Sequence, residues 1–531
     1  MGDITPIIPA PARLTPAAGE FRLGPAASVG YRDPVLAPLA RRFGQEVDRR
    51  CGIPLRVVPS GPDDGTQAIV IGLGDDPDFG LLPVPFGVDP AGTRGDERYL
   101  LAVGQTGITL RGREPVGVAR GLASLLQLIA TTPQAGGAVP VPALRILDAP
   151  RFAWRGLSVD VARRFFPPPQ IRKLIDLAAL YKLDVLGLHL TDDQGWRIEA
   201  GRPAPAREPD GTFYTGDELR ALAGYAADRF VTLVPEVDTP GHARALMSLR
   251  PELGGGRNQA RGEPESGRPR QRGWLDPELP LTFSVLEAAF AELAGLFPGP
   301  FVHIGGDEPW GMPDEAYGVF VRRLKRVVRA LGKHTVGWQE TIRAETDPGH
   351  VIQHWMDATS LGTGGEAPFP PELAARVTAN YRRSRADVEL ALARSVPVIV
   401  SPQAHCYLDV PYADACADPG QQERWERVGL RFYGRKTLAA SFDWDPVTVL
   451  GAGARPENVA GVSAAVWCET VRDVDDLTFL LLPRLAGTAE KAWGAAGAVR
   501  WEQHRVALAR HGRLWRQDGL TFFPAQTVAW A

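Results

Sequence analysis

"RGLSVDVARRFFPPPQIRKLIDLAALYKLDVLGLHLT", residues 155–191, sets two short apolar runs on either side of a longer amphipathic one. RGLSVDVA and VLGLHLT are nearly continuous apolar stretches, the pattern of strands covered on both faces. Between them, PPPQIRKLIDLAALYKL opens on prolines and places Ile171, Leu174, Ile175, Ala178 and Tyr181 on one side, which predicts a helix with one buried face. Strand, helix and strand in that order make a parallel pair with a crossover connection. The same grammar recurs in VTLVPEVD, FVHIGGDE, HTVGWQE, HVIQHWM, VPVIVSP and GVSAAVW, most of them separated by helical stretches. Eight such units within roughly 340 residues predict an α/β fold of the (β/α)8 TIM barrel type with insertions.

At 531 residues the chain exceeds one average domain. Residues 1–150 mix short apolar runs with Gly/Pro turns: QAIVIGLGDD predicts a strand, YLLAVGQTGITLRG a hairpin and PVGVARGLASLLQLIA a helix. We expect a small N-terminal α/β (α+β sandwich-like) domain over 1–150, the barrel over 151–497, and a closing helix within 498–531 packed on the barrel. The GLG at Gly72–Gly74 is a turn rather than a dinucleotide loop, because Pro77 stands where a third glycine would be needed. Residues 254–273 carry almost no apolar side chains and predict a loop, and residues 403–460 form a Tyr-, Trp- and Asp-rich insertion between strands seven and eight.

A formal net charge of −3 gives no electrostatic reason for a nucleic-acid or anionic-membrane partner. No run of about 18 apolar residues occurs, so no membrane span is expected. The start, MGDITPIIPAPARLTP, lacks a basic region and an apolar core; this predicts a cytoplasmic chain as written, or a secreted one if a signal has been removed. The four cysteines, Cys51, Cys406, Cys416 and Cys468, form no C-x-x-C pair and predict free thiols. Nothing in the sequence sets the oligomeric state.

Barrels of this kind build their sites at the C-terminal strand ends. Strand one leads to Arg163, strand two to His189, Asp192 and Asp193, and strand three to Glu236, Asp238 and His242. Strand four gives His303, Asp307 and Glu308; five gives Trp338 and Glu340; six gives His354 and Trp355. The loop after seven carries His405, Tyr407 and Asp409, and strand eight ends in Trp467 and Glu469. One acid at one strand end is commonly a helix cap, and one tryptophan is commonly core. Acids on nearly every strand end, with tryptophans on three of them, suggest a site that grips a sugar. Rings stack on the apolar face of a pyranose while carboxylates and arginine take its hydroxyls.

The stretch FVHIGGDEPWG, 301–311, then bears on mechanism, with Asp307 and Glu308 adjacent and Trp310 beside them. Glycosidases commonly place two carboxylates on opposite sides of the scissile bond, which neighbouring residues do poorly. If the substrate carries a 2-acetamido group, its own carbonyl oxygen can attack the anomeric carbon. One carboxylate then steadies the resulting oxazolinium, and the other serves as acid and then base on the exocyclic oxygen.

With these residues in view, the sequence resembles glycoside hydrolase family 20, the β-N-acetylhexosaminidases. HIGGDE at 303–308 is similar to the family's catalytic signature, and DVARRFF, LHLTDDQGWRIE, VPEVDTPGH, VGWQE, YLD and VWCET stand in the family's order. The resemblance is strong from about 150 to about 495 and weak in the N-terminal segment, where the family commonly has a small α/β domain. It implies Glu308 as general acid/base, Asp307 as the residue that orients and polarises the acetamido group, and Tyr407 as donor to the acetamido oxygen. Trp338, Trp355 and Trp467 would wall the pocket; Arg163, Asp192, Asp409 and Glu469 would hold sugar hydroxyls. His242, with Asp238 and His303, would support the polar network around the substrate.

The implied function is a retaining, exo-acting enzyme on terminal non-reducing GlcNAc or GalNAc, with a small carbohydrate as its partner and no cofactor or metal. A relative specialised for another N-acetylhexosaminide, such as lacto-N-biose or a peptidoglycan fragment, or a non-catalytic sugar binder, is the alternative. Two departures stand out. Arg164 follows the strand-one arginine where the family often has histidine. Gly187 replaces the first histidine of the strand-two motif and is expected to face away from the pocket. A metal hydrolase using His189, His242 and His303 lacks the H-x-H of strand one, and no G-x-S-x-G elbow supports a serine hydrolase.

Overall fold

The computed structural model describes residues 5–60, 68–93, 95–200, 212–254, 273–309, 311–344, 347–356 and 371–531. Two sheets organise the chain. The first contains β1 (Arg13–Leu23), β2 (Ser28–Tyr31), β3 (Arg56–Pro59), β4 (Ile69–Leu73), β5 (Tyr99–Val103), β6 (Ile108–Gly112) and β7 (Val139–Asp148). Their order is β1-β7-β5-β6-β4-β2-β3, antiparallel among β1, β7, β5 and β6 and parallel from β6 to β3. The hairpin read at 99–112 forms with Leu101 opposite Leu110. Helices Ala37–Cys51 and Pro115–Thr131 bury their apolar sides in the same core as this sheet.

The second sheet closes. It runs through β8 (Trp154–Asp160), β9 (Val185–His189), β10 (Thr232–Glu236), β11 (Phe301–His303), β12 (His334–Trp338), β13 (Val351–His354), β14 (Val398–Val400) and β15 (Val459–Val466), all parallel. These are the eight apolar runs of the sequence, so the TIM barrel stands, preceded by a mixed-sheet domain. Along the barrel axis the inward residues change character. Trp154, Val185, Val234, Phe301, Val336, Val351 and Ile399 fill an apolar lower layer. Two residues further along their strands, Glu236, His303, Trp338, Gln353 and Ser401 replace them. The period of two carries each strand from packing into chemistry at its C-terminal end.

Gly187 lies between Val185 and His189 on this inward face, directly beneath the site, so it does not face away from the pocket. A Cβ there would come within 3.1 Å of Ser158 Oγ. The glycine leaves room for the neighbouring strand. The connection from β12 to β13 also departs from a full (β/α)8 repeat: among the described residues it holds only a 3-10 turn, Gln339–Arg343. Gln339 Oε1 accepts the N–H groups of Trp355 and Met356 at 3.0 and 2.9 Å, so this short turn ties the end of β13 to that of β12.

The closing helix, Trp501–Gln517, contacts more than the barrel. His511 Nε2 donates to Pro6 O at 2.8 Å, its Nδ1 lies 2.8 Å from the Tyr181 hydroxyl, and Trp515 Nε1 donates to that hydroxyl at 2.9 Å. Burial pulls the His511 pKa down to about 4, keeping the ring neutral for both bonds. The helix thereby joins the N-terminal chain to the barrel helix Pro168–Leu180. Beneath the barrel, Lys182 and Asp148 pair at 2.8 Å with no solvent exposure, and Trp493 Nε1 donates to the same carboxylate. The four cysteines are free thiols, and among the described residues no helix is long and apolar enough to cross a membrane.

Candidate active site

The loop leaving β11 explains the double glycine of HIGGDE. Gly305 and Gly306 hold φ of +69° and +106°, and a Cβ on Gly305 would lie 1.8 Å from Asp238 Oδ1. On Gly306 it would lie 2.4 Å from Thr341 Cγ2. The backbone must pass this close to bring Asp307 and Glu308 back over the barrel mouth, and the Gly306 N–H donates to Asp238 Oδ1 at 3.1 Å. We expect Gly305→Ala to lose at least ~2 kcal/mol of stability, from the clash and the left-handed φ together. Chemical denaturation of the variant measures it.

Glu308 and His242 are themselves non-glycine residues with positive φ, +45° and +48°. That conformation is uncommon for side chains of this size and concentrates at functional sites. The two meet. His242 Nε2 lies 3.5 Å from Asp307 Oδ2 and 3.7 Å from Glu308 Oε2, while its Nδ1 donates to Asp192 Oδ1 at 3.1 Å. Burial would strip the proton from this imidazole, yet Asp192, Asp307 and Asp238 hold its pKa well above the usual histidine range.

Asp192 anchors a second line of charges. Its Oδ2 sits 2.8 Å from both Arg163 and His189 Nε2. Burial opposes its ionisation, but Arg163, His242 and the His189 bond keep its carboxyl well below the ordinary value. Arg163 also reaches Asp160 at 3.1 Å and Glu469 at 3.4 Å, and its guanidinium stands 5.4 Å from the Trp467 ring centroid. Arg164, by contrast, is exposed.

Asp238 and Asp307 are pushed in opposite directions. Burial, followed by the Asp307 charge, raises Asp238 well above the carboxylate range. Asp307 ends below its usual value despite burial, because His242 and the Asp238 hydrogen bond favour its charged form. Adjacent buried acids separate their titrations in this way. Of the pair, Asp307 is the one favoured as the anion, with His242 Nε2 at 3.5 Å.

The aromatic wall faces these acids. Trp355 and Tyr407 stack at 6.1 Å and 3°; Trp338 meets Trp355 at 6.4 Å and Trp467 at 5.9 Å; Tyr433 abuts Tyr407 edge-on. Asp409 accepts the Trp467 N–H at 3.2 Å through Oδ1. Its buried Oδ2 has no donor among the described residues, and burial with the Glu469 charge holds its carboxyl well above the usual range.

The structure thus brings together Arg163, Asp192, Asp238, His242, His303, Asp307, Glu308, Trp338, Trp355, Tyr407, Asp409, Trp467 and Glu469 at one barrel mouth. His189 is a packed, bonded residue there, between Asp192 and Glu236. Glu236 carries more than its strand-end position suggested: it lies 3.0 Å from His189, 3.2 Å from His303, and accepts Trp338 Nε1 at 3.0 Å. Trp310 and residues 255–272 of the polar loop lie outside the described residues.

Three overlapping sets could hold a cation by proximity: His189–Asp192–Asp238, Asp192–Asp193–His242 and Asp238–His242–Asp307. Within these sets His189 already pairs with Asp192 and Glu236, and His242 with Asp192 and Asp307. Arg163 brings positive charge to Asp160, Asp192 and Glu469.

Comparison with known proteins agrees with this architecture. The family model "Glycosyl hydrolase family 20, catalytic domain" matches residues 152–496, and "Glycosyl hydrolase family 20, domain 2" matches 5–149. A β-N-acetylhexosaminidase of Cellulomonas fimi is 37% identical over 452 residues, covering 82% of each chain. A β-hexosaminidase of Vibrio furnissii is 30% identical, covering 78% of this chain and 67% of its own. Among solved structures, the Streptomyces plicatus N-acetyl-β-hexosaminidase in complex with Thio-NAglucal superimposes with a TM-score of 0.79 at 29% identity, over 99% of this chain and 98% of that one. The chain belongs to glycosyl hydrolase family 20, the β-N-acetylhexosaminidase family.

Proposed function

We propose that the chain is a retaining, exo-acting β-N-acetylhexosaminidase that removes terminal non-reducing GlcNAc or GalNAc by substrate-assisted catalysis. One observation carries the mechanism: Asp307 Oδ2 and Glu308 Oε2 both lie against His242 Nε2, at 3.5 and 3.7 Å. Carboxylates gathered around one imidazole nitrogen sit on one side of the pocket, whereas a double-displacement or inverting glycosidase needs them across the sugar. The attacking atom then comes from the substrate.

Arg163, Asp192, Asp409 and Glu469 take the sugar hydroxyls, with the vacant lone pairs of Asp409 Oδ2 available to one of them. Trp338, Trp355 and Trp467 enclose the ring and its acetamido arm, and Tyr407 donates to the acetamido oxygen. Glu308 protonates the departing oxygen as the acetamido oxygen closes on the anomeric carbon. Asp307 accepts the amide N–H and offsets the oxazolinium charge. Glu308 then removes a proton from the water that opens the ring. Two inversions give net retention. The S. plicatus enzyme has also been solved as a variant with product GlcNAc bound, in keeping with a site for this sugar.

The test compares 4-nitrophenyl β-glycosides of GlcNAc, GalNAc and glucose. Losing the internal nucleophile should lower kcat/KM for the glucoside at least ~10³-fold, the scale of a preorganised transition-state contribution. A thiazoline mimic of the cyclic intermediate should compete tightly. Glucoside turnover equal to that of the N-acetyl sugars would overturn the mechanism.

A further inference from the structure

Glu340 sits in the 3-10 turn after β12, fully buried, and takes no part in the chemistry above. Its Oε2 accepts the indole N–H of Trp355 at 3.2 Å, and its Oε1 accepts Asn380 Nδ2 at 3.4 Å. Asn380 is fixed in turn by Arg343, which donates to its Oδ1 at 3.2 Å and forks onto Asp387 at 2.8 and 2.6 Å. The neighbouring Gln339 holds the Trp355 backbone. Trp355 is thus pinned at both its backbone and its ring N–H, and its ring plane lies parallel to that of Tyr407.

We propose that Glu340 is a positioning residue for the acetamido end of the pocket: its carboxyl group fixes the Trp355 indole and, through the stacked Trp355–Tyr407 pair, sets where the acetamido oxygen rests for attack. The inference builds on the assignment of those two rings to the acetamido wall. A buried indole N–H needs an acceptor, and an acidic one in a buried turn adds direction that bulk packing would not.

The groups facing Glu340 indicate its working form. Burial pushes its pKa up to about 8; Arg343 opposes this, while the charges of Asp307 and Asp387 add to it. Tyr317, nearby, has its own pKa raised by burial, and the Glu340 charge adds to this once it forms. At neutral pH the acid is therefore uncharged. As pH rises through about 8, a new buried anion forms behind the wall and repels the nearby carboxylates of Asp307 and Asp387.

Kinetics with 4-nitrophenyl N-acetylglucosaminide across the pH range test this on the full chain. Glu340→Ala should lower kcat ~10- to 100-fold, the scale of a small misplacement of reacting groups. Glu340→Gln, whose neutral carbonyl can still accept the indole N–H, should recover most of that loss and lack the decline in kcat above about pH 8. In a Trp355→Phe background, where the N–H is gone, Glu340→Ala should cost much less than in the parent chain.

Equal impairment of the Gln and Ala variants, an alkaline decline shared by the Gln variant and the parent, or full additivity with Trp355→Phe would each overturn the inference. If the Ala variant does not fold, the pH profile of the Gln variant decides alone. A parent chain inactive on the N-acetyl substrate would sink the functional assignment and this inference together. An active parent whose folded Glu340→Ala variant matches it in kcat would sink only the inference.

Discussion

Glu308→Gln is expected to lower kcat/KM by ~10²–10⁴-fold on substrates with a poor leaving group, such as a chitobiose-type aglycone, with little change in stability. The amide keeps the shape of the side chain but cannot give a proton to the departing oxygen. On a 4-nitrophenyl glycoside, whose leaving group departs without help, the first step should lose far less. The second step should still suffer, because an amide cannot take a proton from the incoming water. The variant should therefore release a burst of nitrophenol and then slow, with azide or another anionic nucleophile restoring turnover. Burst kinetics on the aryl substrate beside near-silence on the sugar aglycone is the distinguishing result. Equal losses on both substrates would remove the acid role from Glu308. Because its φ of +45° is imposed by the loop, Gln inherits the same geometry, and a loss of function reads as chemistry.

How much of this could be read from the sequence divides along a physical line. Strand runs such as VLGLHLT and GVSAAVW are legible because burial on both faces leaves only apolar residues, and the acids stand out where those runs stop. GG before DE was legible as a turn, but the reason for two glycines lies in the approach of Asp238 and Thr341, which follow other strands. Gly187 was misread because a missing side chain gives the period of two nothing to show. Counting back two residues from His189 would have put it on the inward face. The 3-10 turn after Trp338 hid because QETIR carries no helix-breaking residue.

Glu236 had a visible signal, an acid ending the apolar run VTLVPE, yet its three partners sit on three other strands. Glu340 had the same kind of signal in VGWQE. Protonation was the least legible property. Asp192, Asp238 and Asp307 are the same residue type, and only their neighbours decide which holds a proton.

The Asp238–Asp307 pair also sets the outcome of a substitution at Asp307. Asp307→Asn should lower kcat ~10²–10³-fold while KM moves only slightly, because the charge it removes matters most when the oxazolinium forms. The neutral amide can still touch the acetamido group in the ground state, so binding survives. The pH dependence should change as well, and its sign follows from the pairing. In the parent, burial and then the Asp307 charge push the Asp238 pKa well above the carboxylate range. Removing that charge lowers the Asp238 pKa, so Asp238 ionises at a lower pH than in the parent and returns one negative charge to the same corner of the site. Residual activity of the variant should therefore rise with pH over a range where the parent is flat, and Asp238→Asn combined with Asp307→Asn should abolish that rise. A variant whose small remaining activity follows the parent's pH profile would mean that the Asp307 charge does not govern Asp238. Unchanged kcat would mean that the anion clamped by His242 does not serve the intermediate at all.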